Sequence, residues 1–152
     1  MKRMIGLLLI LAMVSSLSAA LAQRAESAEG GFSVKLPDHF VEESVSGYSD
    51  LCFYWHGNKL TVQGYASYQG EVAGSDLFQV LTGDETDYGT KVINGMEMMY
   101  ARTEDGGNVS ITYTWMDRGN CVSLEFDYAA SDESVQNTVN SIINSIRFDA
   151  GH

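Results

Sequence analysis

The stretch NVSITYTWMDRGNCVSLEFDYAASDESVQNTVNSIINSIRF, residues 108–148, decides the fold. Val109, Ile111, Tyr113 and Trp115 alternate with Ser110, Thr112, Thr114 and Met116. After Asp117-Arg118-Gly119-Asn120, the residues Val122, Leu124, Phe126 and Tyr128 alternate with Cys121, Ser123, Glu125 and Asp127. An apolar residue at every second position marks a strand with one buried face. Placing Met116 opposite Cys121 sets Trp115 against Val122, Tyr113 against Leu124 and Ile111 against Phe126, so the two apolar faces fall on one side. A helix is expected next. Val135, Val139, Ile142, Ile143 and Ile146 form one stripe. Ser131 is the expected N-cap, with Asp132 and Glu133 in the first turn, where the dipole favours acids.

The N-terminus reads differently. Lys2 and Arg3 precede an apolar run at 4–14, too short to span a bilayer, and Ala20-Leu21-Ala22 is an A-x-A cleavage signal. Residues 1–22 are therefore read as a signal peptide of bacterial type. Cleavage after Ala22 leaves 130 of 152 residues and takes the formal charge from −11 to −13, because Lys2 and Arg3 are lost. That is one domain by size. The acidity excludes nucleic acid, and after cleavage a membrane, as partner, since phosphate-rich surfaces need clusters of Lys and Arg.

Residues 23–30 are small and polar and read as a flexible lead-in. The domain proper is expected over 31–148, with 149–152 as a tail. Its first strand is 31–36, ended by Pro37, and an irregular segment follows over 38–50. Residues 51–55 and 60–68 form a hairpin around Gly57-Asn58, in which Trp55 meets Leu60 and Phe53 meets Val62. Ser75 caps a short helix at 76–82, stopped by Gly83. Residues 91–103 form the next strand region, with a break at Asn94-Gly95. Asp105-Gly106 or Gly106-Gly107 then turns the chain. The class is α+β: an antiparallel sheet of about six strands, with a short mid-chain helix and a long C-terminal helix packed on it.

Two phrases carry a family resemblance. GFSVKLPDHF at 31–40 resembles the opening G-F-x-V-x-L-P-x-x-(F/W) of PsbP-like and DcrB-like secreted domains. Val139, Ile142, Ile143, Ser145, Ile146 and Phe148 are similar to their closing helix and its Ser-Ile-x-Phe ending. The resemblance implies an antiparallel sheet between helices. It also implies a non-enzymatic role, since PsbP assists the oxygen-evolving complex and a related fold binds the Ran GTPase. None of those proteins' binding motifs occurs in this chain, so no functional residue is carried over.

Candidate chemistry is sparse. Cys52 and Cys121 both sit opposite the apolar face of their strands, which favours a structural disulfide over two separate buried thiols. His39, His56 and His152 lack metal-ligand spacing. Asp84, Glu85 and Asp87 do not form an EF-hand loop. Met96 and Met98 read as core rather than soft-metal ligands. No nucleophile motif or phosphate-binding loop is present. Tyr54 and Tyr65 lie out of phase with the core. They are either a stacking platform for a sugar, peptide or protein, or core beneath a second layer. No cofactor is expected. The chain reads as a secreted, non-catalytic binding or accessory domain whose partner is a protein or small molecule. The alternatives are a small-molecule or carbohydrate binder using Tyr54 and Tyr65, and a cryptic hydrolase.

Overall fold

In the computed structural model, residues 21–44, 49–56, 60–67, 87–117 and 120–149 are described. They form ten strands and one helix: β1 Leu21–Ser27, β2 Phe32–Pro37, β3 Val41–Glu42, β4 Ser49–Trp55, β5 Leu60–Ser67, β6 Asp87–Ile93, β7 Met96–Asp105, β8 Asn108–Asp117, β9 Asn120–Ala129, α1 Glu133–Asn144 and β10 Arg147–Phe148. The expected α+β class stands, and every strand pairing is antiparallel. The single sheet of about six strands is replaced by two sheets. One has seven strands in the order β3-β4-β5-β9-β8-β7-β6, and the other has three in the order β1-β2-β10.

Local pairing follows the apolar alternation. In β8 and β9, Met116 faces Cys121, Trp115 faces Val122, Tyr113 faces Leu124 and Ile111 faces Phe126. In β4 and β5, Trp55 faces Leu60 and Phe53 faces Val62. Asn94 and Gly95 join β6 to β7 with φ of 49° and 86°, and Gly106 and Gly107 join β7 to β8 with φ of 56° and 82°. Two successive positive φ values belong to the tight hairpin turn whose twist matches the strands. The turn at 57–58 and the helix expected at 76–82 fall outside the described residues.

The lead-in expected over 23–30 is instead largely strand. Gln23 through Ser27 pair with Leu36 through Phe32, and Ala25 is buried. The segment is fixed by polar contacts rather than by an apolar run. The Gln23 side-chain amide donates to the carbonyls of Pro37 (3.1 Å) and Phe40 (2.8 Å). The Ser27 hydroxyl donates to Asp50 at 2.7 Å. The register is irregular between Leu21 and Gln23, so continuous pairing begins at Gln23, the residue after the expected cleavage point.

The core lies between one face of the large sheet and a layer made of the small sheet and α1. Phe32, Val34 and Leu36 from β2 join Tyr113, Trp115, Leu124 and Phe126, with Val135, Val139, Ile142, Ile143 and Ile146 beside them. Phe32 meets Trp115 edge to face at 5.1 Å. Gly64 of β5 makes room for that ring, since a Cβ there would come within 2.9 Å of Phe32 Cζ.

The helix runs twelve residues, and its cap is Asp132 rather than Ser131. The reason is local. The Asp132 carboxylate accepts from the Ser134 backbone N–H at 3.0 Å and from its hydroxyl at 2.6 Å. Those bonds, the Ser134 hydroxyl first, hold its pKa below the ordinary carboxylate value.

Burial acts the other way on Tyr113. Desolvation, with the neighbouring phenols of Tyr128 and Tyr100, pushes its pKa up to about 12. A raised phenol pKa gives stability that is whole below the ordinary value and is lost as pH rises toward the folded value. Native stability is therefore expected to fall between about pH 10 and pH 12. Tyr113→Phe should flatten that fall, read by urea unfolding at a series of alkaline pH values. An identical slope in the variant would assign the loss to other groups.

Candidate functional site

Cys52, Tyr54 and Cys121 occupy the second face of the large sheet, and the register position of Tyr65 is on that face too. The shared facing of the cysteines stands, but the disulfide does not. Both thiols are buried, and no bond joins them. The strand order explains this. Cys52 pairs with Gln63, Gln63 pairs with Glu125, and Cys121 lies four residues along β9 from Glu125. Two interstrand steps and four residues of rise put the Cα atoms about 17 Å apart. A bridge needs less than about 7 Å. Burial also pushes the Cys121 thiol pKa up, partly offset by Ser123, so it is not an activated nucleophile. Unfolding the protein without reductant is expected to expose two titratable thiols, and reduction should leave the intact mass unchanged. A mass gain of two hydrogens on reduction would contradict this.

The second face is covered over its centre. Cys52, Ala101, Thr112, Thr114, Cys121 and Ser123 are all buried, and the Thr114 and Ser123 hydroxyls hydrogen-bond each other at 3.0 Å. It is therefore no open aromatic platform there. Tyr54 is half-buried near the rim, opposite Val41 and edge-on to His56 at 4.6 Å. Tyr65 pairs with Ser49 and Ser123. The structure brings Tyr54 and Tyr65 to one face but does not make them neighbours: Tyr54 pairs with Thr61, four residues along β5 from Tyr65.

The histidines are likewise dispersed. His39 lies against Trp55 with ring centres 4.0 Å apart. His56 Nε2 is 3.8 Å from the Glu43 carboxylate, with both side chains exposed, so the pair contributes little. His152 lies outside the described residues. Among those residues, no group of His, Cys, Asp and Glu has metal-binding geometry.

A groove that sequence reasoning did not find runs beside the end of α1. It is a shallow, largely solvent-open depression of about 930 Å³ between β2, the β6–β7 turn and the C-terminal residues. Lys35 and Arg147 bring two cations to it, and Asn94, Ser141, Asn144 and Ser145 line it with polar groups. Ser145 fixes one wall: its hydroxyl accepts from the Lys35 backbone N–H at 2.8 Å and donates to the Ile142 carbonyl at 2.6 Å. Asn94 fixes the other, its side-chain amide donating to the carbonyls of Asn144 (3.0 Å) and Ile146 (2.8 Å). Neither Tyr54, Tyr65, Cys52 nor Cys121 lines this groove.

Solved structures share this arrangement of strands and helix. Eighteen chains match. One is cyanobacterial PsbP from Synechocystis sp. PCC 6803, with a TM-score of 0.63 and 13% identity over 83% of this chain and 91% of that one. The fold is PsbP-like. A second match, a protein from Bacteroides thetaiotaomicron VPI-5482, has a TM-score of 0.60 and 13% identity over 87% of this chain. This chain spans half the length of that protein. No family model matches the sequence, and neither does any curated protein. At 13% identity the PsbP-like likeness is one of backbone, and no residue role comes with it.

Proposed function

We propose that the chain is an exported, non-catalytic binding or accessory domain that works through its surface. The observation that supports this is a PsbP-like fold spanning most of both chains compared. Export rests on the leader at 1–22. Among the described residues, no helix is long and apolar enough to cross a membrane. The start of continuous strand pairing at Gln23 fits removal of the leader after Ala22. The chain recovered from the exported fraction should therefore have an intact mass that starts at Gln23; a mass that includes Met1 would contradict export with cleavage.

The non-catalytic reading is tested by assaying the mature chain against ester, peptide and glycoside substrates beside His39→Ala and His56→Ala. The expected result is no turnover above buffer in any of the three. Turnover abolished by one histidine substitution would overturn the reading in favour of a hydrolase.

A second reading uses Tyr54 and Tyr65 to bind a small molecule or carbohydrate. It is supported by the position of Tyr54 at the sheet rim beside Val41, which is 52% exposed. Tryptophan or tyrosine fluorescence that changes on adding oligosaccharides, and no longer does so in Tyr54→Ala, would favour it.

A further inference from the structure

We infer that the groove between β2, the β6–β7 turn and the end of α1 binds a small organic phosphate monoester. The inference rests on reading the domain as a non-catalytic binder. Charge carries the first part. The mature chain is strongly acidic, yet the groove lining includes Lys35 and Arg147 and no carboxylate. The ion pairs seen among the described residues, His56–Glu43 and Arg102–Glu104, involve neither cation. Acids elsewhere on the surface are screened beyond about 8–10 Å at physiological salt, so an anion in the groove responds to the local cations.

Position carries the second part. Arg147 pairs with Ser33, and Lys35 lies two residues further along β2, so the cations are diagonal neighbours on one sheet face. Such neighbours are about 7–8 Å apart at Cα, within reach of one ligand for long side chains. Arg24 stands directly opposite Lys35 on β1 and adds a third positive charge to this face; Glu26, opposite Ser33, is the acid beside them. A guanidinium fork and an ammonium point charge together suit a dianion with several terminal oxygens better than a single carboxylate.

The helix end would ordinarily repel an anion, because its last carbonyls are negative. Here they are occupied. Asn94 takes the carbonyls of Asn144 and Ile146, and the backbone N–H groups of Ser145 and Ile146 donate to Ile142 and Ile143. Asn144, exposed at the helix end, is among the lining residues. The volume far exceeds that of an oxyanion, and half-buried Phe148 gives the groove an apolar edge, while Ile146 meets it through its backbone. That edge suits an organic group attached to the phosphate.

Phenyl phosphate, inorganic phosphate and succinate are the probes. Each is titrated at fixed ionic strength into the mature chain while amide proton–nitrogen correlations are recorded. Saturable shifts at Lys35, Asn144 and Arg147 are expected with phenyl phosphate, weaker ones with inorganic phosphate, and the weakest with succinate. Lys35→Gln and Arg147→Gln should each weaken phenyl phosphate by about tenfold. Lys91→Gln, on β6, should leave it unchanged. All three lysine or arginine variants change outward-facing residues, and unchanged melting temperatures confirm that they fold. Shifts that do not saturate, affinities unaltered in both groove variants, or succinate binding as tightly as phenyl phosphate would each overturn the inference. Failure to bind leaves the accessory-domain reading in place, whereas release of phenol from bound phenyl phosphate would overturn that reading and leave the groove.

Discussion

Phe32→Ala is expected to lower the unfolding free energy by about 3–5 kcal/mol, the range for deleting a buried aromatic ring. Typical domains have about 5–15 kcal/mol in total, so the variant stands near the edge of folding. Phe32 is 1% exposed and belongs to the small sheet, but its ring lies on the large one. It touches Trp115 edge to face and fills the space above Gly64. The lining cannot collapse readily, because β5 and β8 are each held by two neighbouring strands. The loss therefore includes an aromatic pair and a lasting cavity. Urea unfolding followed by tryptophan fluorescence measures it. A loss below about 1 kcal/mol would mean that the two sheets do not share one core.

Ile142→Ala is the second large effect, expected at about 2–5 kcal/mol. Ile142 is fully buried on the face of α1 that closes the core, beside Val135, Val139 and Ile143. Asn140, two residues earlier, is exposed. Asn140→Ala should change stability by no more than about 0.5 kcal/mol. Equal losses in the two variants would mean that the helix does not present this stripe to the sheets.

The burial of Ile142 was legible in the sequence, because short-range pattern determines it. Period-two alternation set the register of β8 with β9 and of β4 with β5, down to the pairs Tyr113–Leu124 and Phe53–Val62. Helical spacing picked out the buried stripe of α1. Long-range order was not legible. The facing of Cys52 and Cys121 follows from alternation, but their separation depends on β5 lying between β4 and β9, which no local pattern encodes. The strand β1 was missed because Gln23, Ala25 and Ser27 hold it by side-chain hydrogen bonds and one small buried residue rather than by an apolar run. The cap moved from Ser131 to Asp132 because each residue type serves equally well, and backbone geometry chose between them.

The groove shows the same limit at the level of function. Lys35 and Arg147 come from opposite ends of the chain and meet only because β10 pairs with β2. In the sequence each is an isolated cation in an acidic protein, and composition argues against anionic partners. The fold gathers Arg24, Lys35 and Arg147 onto one face of the small sheet, so the average charge misreports the local one.

The most direct test of binding without turnover is a phosphorus NMR spectrum of phenyl phosphate incubated with the mature chain. The account predicts that the ester resonance shifts and broadens as the ester exchanges with the groove, and that no inorganic phosphate appears. An ester resonance unmoved by the protein, or an inorganic phosphate resonance that grows with time, would contradict it.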